Sequence, residues 1–144
     1  MTHQDKGHYA AKHPVGTQMD EEIVRLIRQK AKDNVITCAE AVSIAGETGQ
    51  PIGKIGKNLD LLEARISFCQ MGLFGFSPDK RVVRAAAVVD EALKKAIEAK
   101  VVEGRLSCAV SWEIADALQL TRMAVSEACE ALKIKIKPCQ LGAF

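Results

Sequence analysis

The sequence predicts a mainly α protein that contains two copies of one unit with short β-strands, joined by a long helix. The first observation is an internal repeat: a shift of 70 residues aligns 20–74 with 90–144 without a gap, and 14 of these 55 positions are identical. The second is apolar residues at helical spacing within each copy. The third is a short alternation of apolar and polar residues near the end of each copy.

The composition excludes several classes of protein. Apolar residues make up 48% of the chain and charged residues 26%, which are the proportions of a folded globular protein. No apolar run approaches the ~18 residues of a membrane-spanning helix, and aromatic residues are too few, at 4%, for a single-strand binder that stacks bases. The N-terminus has no apolar signal core and the cysteines are odd in number, so we expect a cytoplasmic protein with reduced thiols.

The repeat divides the chain into three parts. Residues 1–19 hold all three histidines and little apolar content, and we expect them to form a mobile tail. Residues 20–76 are the first unit, and 77–144 comprise a connector helix and the second unit. Ser77-Pro78-Asp79 has the residue types of a helix start, and apolar spacing continues as far as Val101. The connector is therefore predicted to be one helix of about 25 residues, twice the usual length.

The connector also predicts the oligomeric state. One apolar stripe on it is expected to serve the second unit, while Val83, Ala87 and Val101 lie away from that stripe. A monomer of this size has little surface left to cover them, so a homodimer through the connector helix is predicted. The alternative is a compact monomer in which the first unit folds back over this face.

Each unit is predicted to contain three helices followed by a strand. Thr37 and Ser107 are expected to cap the second helices, and the third helix of the second unit is expected to begin at Thr121. Residues 133–137 alternate between lysine and isoleucine, as a strand with one cationic face would. Short runs before the second helices are expected to pair with the strands, namely Val35-Ile36 and Arg105-Leu106.

Residues 114–127 resemble the helix-turn-helix of prokaryotic DNA-binding regulators. Ala115 supplies the small residue at the helix crossing, Leu118 and Leu120 flank the turn, and Val125 fills the hollow between the helices. With its strand, each copy is similar to a winged-helix unit. The resemblance implies a DNA-binding transcriptional regulator whose partner is double-stranded DNA, with third helices that enter the major groove.

The candidate DNA-binding residues follow from this resemblance. Lys54 and Lys57 lie on the outer face of the first copy's third helix, and Arg122 and Ser126 lie on that of the second. The acids Glu127 and Glu130 share the latter face and oppose a polyanion. The alternative to DNA contact is that these faces are exposed to solvent or buried against a partner.

The densest basic feature is the lysine strand, which has two interpretations. Lys133, Lys135 and Lys137 share one face of the predicted strand, where they would track a DNA backbone as a wing does. Lysines also protect an exposed edge strand from aggregation. The sequence leaves both open.

No catalytic motif is present, so we expect no enzyme, no cofactor and no metal site. Cys38 and Cys108 are expected at helix N-termini, where the helix dipole stabilises a thiolate and makes the thiol redox-sensitive. Strand pairing would also bring Cys38 towards Cys69. The alternative is that the cysteines are small buried core residues. The alternative function is a non-catalytic protein–protein interaction or dimerisation module that never contacts DNA.

Overall fold

A computed structural model describes residues 8–144 of the chain, and within them the protein is mainly α. The first copy contains α1 (Glu21–Lys30), β1 (Val35–Thr37), α2 (Cys38–Thr48), α3 (Ile52–Leu61) and β2 (Arg65–Ser67). The second contains α4 (Glu91–Glu98), β3 (Arg105–Leu106), α5 (Cys108–Leu118), α6 (Arg122–Ala131) and β4 (Lys135–Ile136). A 3-10 helix (Tyr9–Lys12) precedes them. None of the described helices is long and apolar enough to cross a membrane.

The order of elements repeats with the same shift of 70 residues that aligns the sequences. The reason is local and the same in both copies. Asp20 and Asp90 accept hydrogen bonds from the first free amides of α1 and α4, and the hydroxyls of Thr37 and Ser107 cap α2 and α5. Gly49 takes the left-handed conformation that ends α2.

Each copy has one two-stranded parallel sheet. Ile36 lies opposite Ile66, and Leu106 lies opposite Ile136, so the pairing expected for the runs before the second helices is confirmed. The strand predicted over 133–137 is shorter than expected. Lys133 has a positive φ of 58°, which is incompatible with a strand, and only Lys135–Ile136 pairs.

The connector helix is wrong as predicted, because within 77–90 the chain forms no helix. The amides of this segment are bonded elsewhere: Val83 donates to the carbonyl of Gly72 at 3.1 Å, and Ala86 donates to that of Glu127 at 3.0 Å. The Asp90 cap then starts α4 at Glu91. Val83 is buried within the chain, so the apolar face on which the predicted dimer interface rested does not exist.

The mobile tail is also wrong for residues 8–13. The amides of Tyr9 and Ala10 donate to the Glu63 carboxylate at 2.7 and 2.9 Å, and Tyr9 is buried. His13 Nε2 lies 2.8 Å from an Asp60 carboxylate oxygen. These contacts hold the segment on α3. Residues 1–7, which include His3, lie outside the described residues.

The two copies share one core, and close backbone contacts join them. Two loops that we call the Cys-Gln loops, 69–74 and 139–144, follow β2 and β4. A Cβ on Gly56 of α3 would lie 2.6 Å from the carbonyl carbon of Leu141 in the second loop. One on Gly72 in the first loop would lie 2.6 Å from Met123 Cε of α6. Each Cys-Gln loop therefore packs on the third helix of the other copy.

Candidate functional site

Parts of the third-helix faces that were expected to read DNA lie between the two copies. Ser126 is fully buried, and its Oγ has no hydrogen-bond partner among the described residues. Met123 is covered by Gly72, and Gly56 by Leu141. An α-helix that enters the major groove must present this face to the bases. In this arrangement Ser126 of α6 is not accessible to DNA, and α3 presents only part of its face, since Gly53 and Lys57 are exposed while Gly56 is covered.

Arg122 is occupied by contacts within the protein. Its guanidinium lies over the indole ring of Trp112, 3.5 Å from the ring centroid, and donates to Oε1 of Gln70 in the first Cys-Gln loop. Stacking and charge-assisted hydrogen bonding both favour this position. Arg122 therefore joins the two copies and is not positioned as a DNA contact.

Lys54 is also paired, whereas Lys57 is exposed. Lys54 Nζ lies 3.1 Å from Asp20 Oδ2 and donates to Gln50 Oε1 at 3.2 Å. The backbone amide of Ile23, followed by Lys54, lowers the pKa of Asp20. This ion pair ties α3 to the start of α1. Of the two lysines predicted on α3, Lys57 alone projects freely to solvent.

The lysines of the predicted strand lie together in a groove between the two copies. Lys133, Lys135 and Lys137 are exposed, and with Leu73, Arg81, Glu130 and the two intervening isoleucines they line a groove of about 510 Å³. We call this the basic groove. Arg81 forms an ion pair with Glu130 in its wall. Arg105, the strand partner of Lys135, adds a further exposed cation beside it.

A second groove lies between α4 and α5 and is apolar. Alanines, Val110, Ile114 and Leu118 line a space of about 280 Å³, with Lys100 and Glu113 among the lining residues. We call this the apolar groove. The corresponding surface of the first copy is polar, since Lys30 pairs there with Glu47 at 3.2 Å.

The cysteines of the two copies gather where the Cys-Gln loops meet α2 and α5. Cys38 and Cys108 are buried at the first helical positions. The side-chain amide of Gln70 donates to Cys38 Sγ at 3.8 Å, and that of Gln140 donates to Cys108 Sγ at 3.5 Å. Cys69 is buried and Cys139 is half-buried. All five cysteines are free thiols.

The thiol pKa values run opposite to the expected direction. Burial raises the pKa of Cys38 to about 12 and those of Cys108 and Cys129 to about 11. Burial also raises the pKa of Cys139. Burial removes water from the thiolate, and this destabilises the charged form by more than the helix N-terminus stabilises it. Raised pKa values disfavour the thiolate at both helix starts, which favours the alternative that these cysteines are buried core residues.

Sequence reasoning missed Gln70, Gln140 and Trp112 as site residues. The signal for the glutamines was present, since Cys-Gln-x-Gly-x-Phe ends both copies. Nothing local marked Trp112, because its contact with Arg122 depends on how α5 and α6 pack.

Comparison with protein-family models, with curated proteins and with solved structures finds no match to this chain.

Proposed function

We propose that the protein binds double-stranded DNA by phosphate contacts in the basic groove and does not read bases with its third helices. The observation that carries this proposal is the group of exposed lysines Lys133, Lys135 and Lys137 in one groove with Arg81. The regulator function that the helix-turn-helix resemblance implies is kept as part of the proposal. So is the winged-helix-like assignment, supported by the order helix, strand, helix, helix, strand in each copy.

The charge of the groove suits a polyanion. Lysine is a flexible point charge, and several lysines in one cleft release counterions when they meet phosphates. Glu130 is the acid in the groove lining and is already neutralised by Arg81. Because such contacts carry no sequence information, we expect binding that is strongly salt-dependent and weakly dependent on base sequence.

The test is duplex binding by fluorescence anisotropy over a series of salt concentrations. Replacing Lys133, Lys135 and Lys137 together by alanine should weaken binding at low salt. The slope of log K against log salt should flatten by about 0.9 for each phosphate that the variant no longer neutralises. Far-UV circular dichroism should not change, since all three side chains are exposed.

A matched control removes the same charge elsewhere. Arg25, Arg28 and Lys32 are exposed on the first copy, and their joint replacement by alanine should leave most of the slope intact. Equal losses of affinity in the two triple variants would show that only net charge matters and would refute the groove. Replacement of Lys57 by alanine should have little effect on the affinity for duplex DNA. A large loss of affinity would indicate that α3 contacts DNA after all.

The second candidate function is an interaction module, and the apolar groove favours it. We propose that a second copy of this chain is its occupant. Lys100 and Glu113, which have opposite charges, both line the groove. In a two-fold interface Lys100 of each copy can therefore pair with Glu113 of the other. This retains the predicted homodimer but moves it from the connector to α4 and α5.

The first copy supplies the variant that tests self-association. The double variant Ala117→Glu, Leu118→Thr gives the second copy the residues that the first copy has at Glu47 and Thr48. In the first copy, Glu47 pairs with Lys30. By sedimentation equilibrium, the unchanged chain should exceed 15.6 kDa at micromolar concentration and the double variant should not. A monomeric unchanged chain, or a dimer that survives the double change, contradicts this interface.

A further inference from the structure

Within the second copy, the fold brings two cysteines together. The backbone amide of Cys108 donates to the carbonyl of Pro138 at 3.0 Å, and Pro138 directly precedes Cys139. The amide of Gln140, the next residue, reaches Cys108 Sγ. The start of α5 and the second Cys-Gln loop are therefore held side by side.

The first copy repeats this arrangement. Thr37, which precedes Cys38, lies opposite Ser67 in the parallel sheet, and the chain reaches Cys69 two residues later. Gln70 again donates to the thiol at the helix start. Each copy thus contributes one cysteine from a helix and one from a loop, and a glutamine at the equivalent position of each copy lies beside them.

The packing of the two copies gathers both pairs in one region. Each Cys-Gln loop crosses to the third helix of the other copy, and Arg122 holds Gln70 from the second copy. The amides of Cys69 and Cys139 donate to the carbonyls of Phe74 and Phe144 at 3.1 and 2.9 Å, and the rings of these two phenylalanines lie 5.8 Å apart, edge to face. The fifth cysteine, Cys129, lies on α6, outside both loops and both helix starts.

The two copies have diverged, yet they keep these residues. Of the 14 identities, six fall on the two cysteines and their nearest neighbours, at 38, 39, 69, 70, 72 and 74 and their counterparts. Cys129, by contrast, has Leu59 as its counterpart, and both are buried. A cysteine that only fills space is thus replaced by leucine. The other four cysteines recur in both copies, and a side-chain amide donor accompanies each pair.

Four thiols from separate segments are the ligand set of a thiolate metal centre. Among the residues described, no three His, Cys, Asp or Glu side chains converge closely enough to hold a single metal ion. The sulfurs of a tetrahedral zinc site lie about 3.8 Å apart, since each Zn–S bond is about 2.3 Å. An iron–sulfur cluster holds its cysteines at its outer corners, farther apart, and N–H groups directed at sulfur tune it.

We propose that Cys38, Cys69, Cys108 and Cys139 ligate one [4Fe–4S] cluster that is shared by the two copies. Gln70 and Gln140 would each donate to one ligand sulfur, those of Cys38 and Cys108. Each repeat supplies half of the ligands, so the cluster links the two copies. This site is independent of the basic groove and would stand if DNA binding failed.

Anaerobic cluster transfer tests the site without a redox step. The full chain is mixed with a preassembled [4Fe–4S] cluster that carries four small-molecule thiolates. Four iron–cysteine bonds form as four iron–thiolate bonds break, and each cysteine proton leaves on the displaced thiolate. After gel filtration we expect four irons and four sulfides per chain, with charge-transfer absorption in the visible range.

Variants assign the ligands. Replacing any one of the four cysteines by alanine should lower retained iron at least several-fold, and replacing Cys69 and Cys139 together should abolish it. Cys129→Leu is the matched control, since leucine is the residue that the first copy has there, and it should retain the full cluster. Circular dichroism of each metal-free variant separates loss of ligation from loss of folding.

Three results would overturn the proposal. The first is a folded unchanged chain that retains no iron after transfer. The second is a chain that takes up a single Zn²⁺ with protection of all four thiols from alkylation but accepts no cluster, which would make the site a mononuclear zinc site. The third is equal iron retention by Cys129→Leu and by the folded variants of the four proposed ligands, which would show adventitious binding.

Discussion

The two copies share their elements but differ in what they expose. The first copy closes the surface between α1 and α2 with the Lys30–Glu47 ion pair, whereas the second leaves the apolar groove open between α4 and α5. The strand that ends the first copy carries Arg65 and Ser67 where the second carries Lys135 and Lys137. Outward surfaces have diverged: the second copy lines the apolar groove and supplies most of the basic groove, to which the first copy adds Leu73.

The region between the copies shows the opposite pattern. Cysteine, glutamine and glycine of the Cys-Gln loops are identical in both, because each loop must pass close to a helix of the other copy and place the same thiol. The comparison teaches that the repeat is retained for its inner contacts, while binding is assigned to surfaces that are not repeated.

The largest expected effect concerns the thiols at the two helix starts. With the pKa of Cys38 near 12 and that of Cys108 near 11, the thiolate fraction at pH 8 is at least about a hundredfold below that of an ordinary thiol. Alkylation by iodoacetamide of the metal-free protein, followed by peptide mass spectrometry, should be slow at both. Fast labelling of one alone would break the symmetry of the copies.

The same shifts give a pH dependence of stability. A thiol whose pKa is raised by folding binds its proton more tightly in the folded state, so its contribution is complete below pH 9 and is lost as pH rises towards about 12. The free energy of unfolding of the metal-free chain should fall across this window. Cys38→Ala should reduce the slope of that fall.

Gly56→Ala should be the most destabilising of the conservative substitutions. A Cβ there would meet the backbone of Leu141, and a backbone cannot rotate away, so we expect a loss of about 3 kcal/mol in urea unfolding. Gly53, on the same helix, has open space around its Cβ position. Gly53→Ala should therefore stabilise α3 by up to about 1 kcal/mol. Destabilisation of equal size at both glycines would refute the packing of α3 on the second Cys-Gln loop.

Arg122→Ile gives the second copy the residue that the first has at Ile52. It removes both the stacking on Trp112 and the bond to Gln70, and we expect unfolding to become easier by about 1–2 kcal/mol. Arg122→Lys keeps the charge but loses the planar donor, so its stability should lie between those of the unchanged chain and of Arg122→Ile. No change with either variant would mean that Arg122 is solvated and available to a ligand.

Local features of the fold were predictable from the sequence, and long-range ones were not. The caps at Thr37 and Ser107 and the strand pairing follow from nearby residues. The segment 77–90 has helical spacing, but its amides bond to Gly72 and Glu127, and no local pattern reveals acceptors so far away. Asp90, which caps α4, was the one local sign that the helix begins there and not at Ser77-Pro78-Asp79.

The site was predictable only in part for the same reason. Lys133, Lys135 and Lys137 were identified because exposed lysines need no tertiary partner. The burial of Ser126 and the contact of Arg122 with Gln70 could not be predicted, because both depend on how the two repeats pack. The direction of the thiol pKa values could not be predicted, since helix position and burial act in opposite directions and only the structure gives the burial.

The smallest expected effect distinguishes two buried hydroxyls of the second copy. Ser126 Oγ has no partner among the described residues, while Ser111 Oγ donates to the carbonyl of Ser107 at 2.7 Å. Burying a hydroxyl without a partner costs free energy, so Ser126→Ala should stabilise the chain by up to about 1 kcal/mol. Ser111→Ala should destabilise it by about the same amount, because it removes a hydrogen bond. Urea unfolding of both variants measures the difference in sign. If Ser126→Ala is also destabilising, its hydroxyl has a partner such as an internal water, and the contact between α6 and the first copy is wetter than its burial indicates.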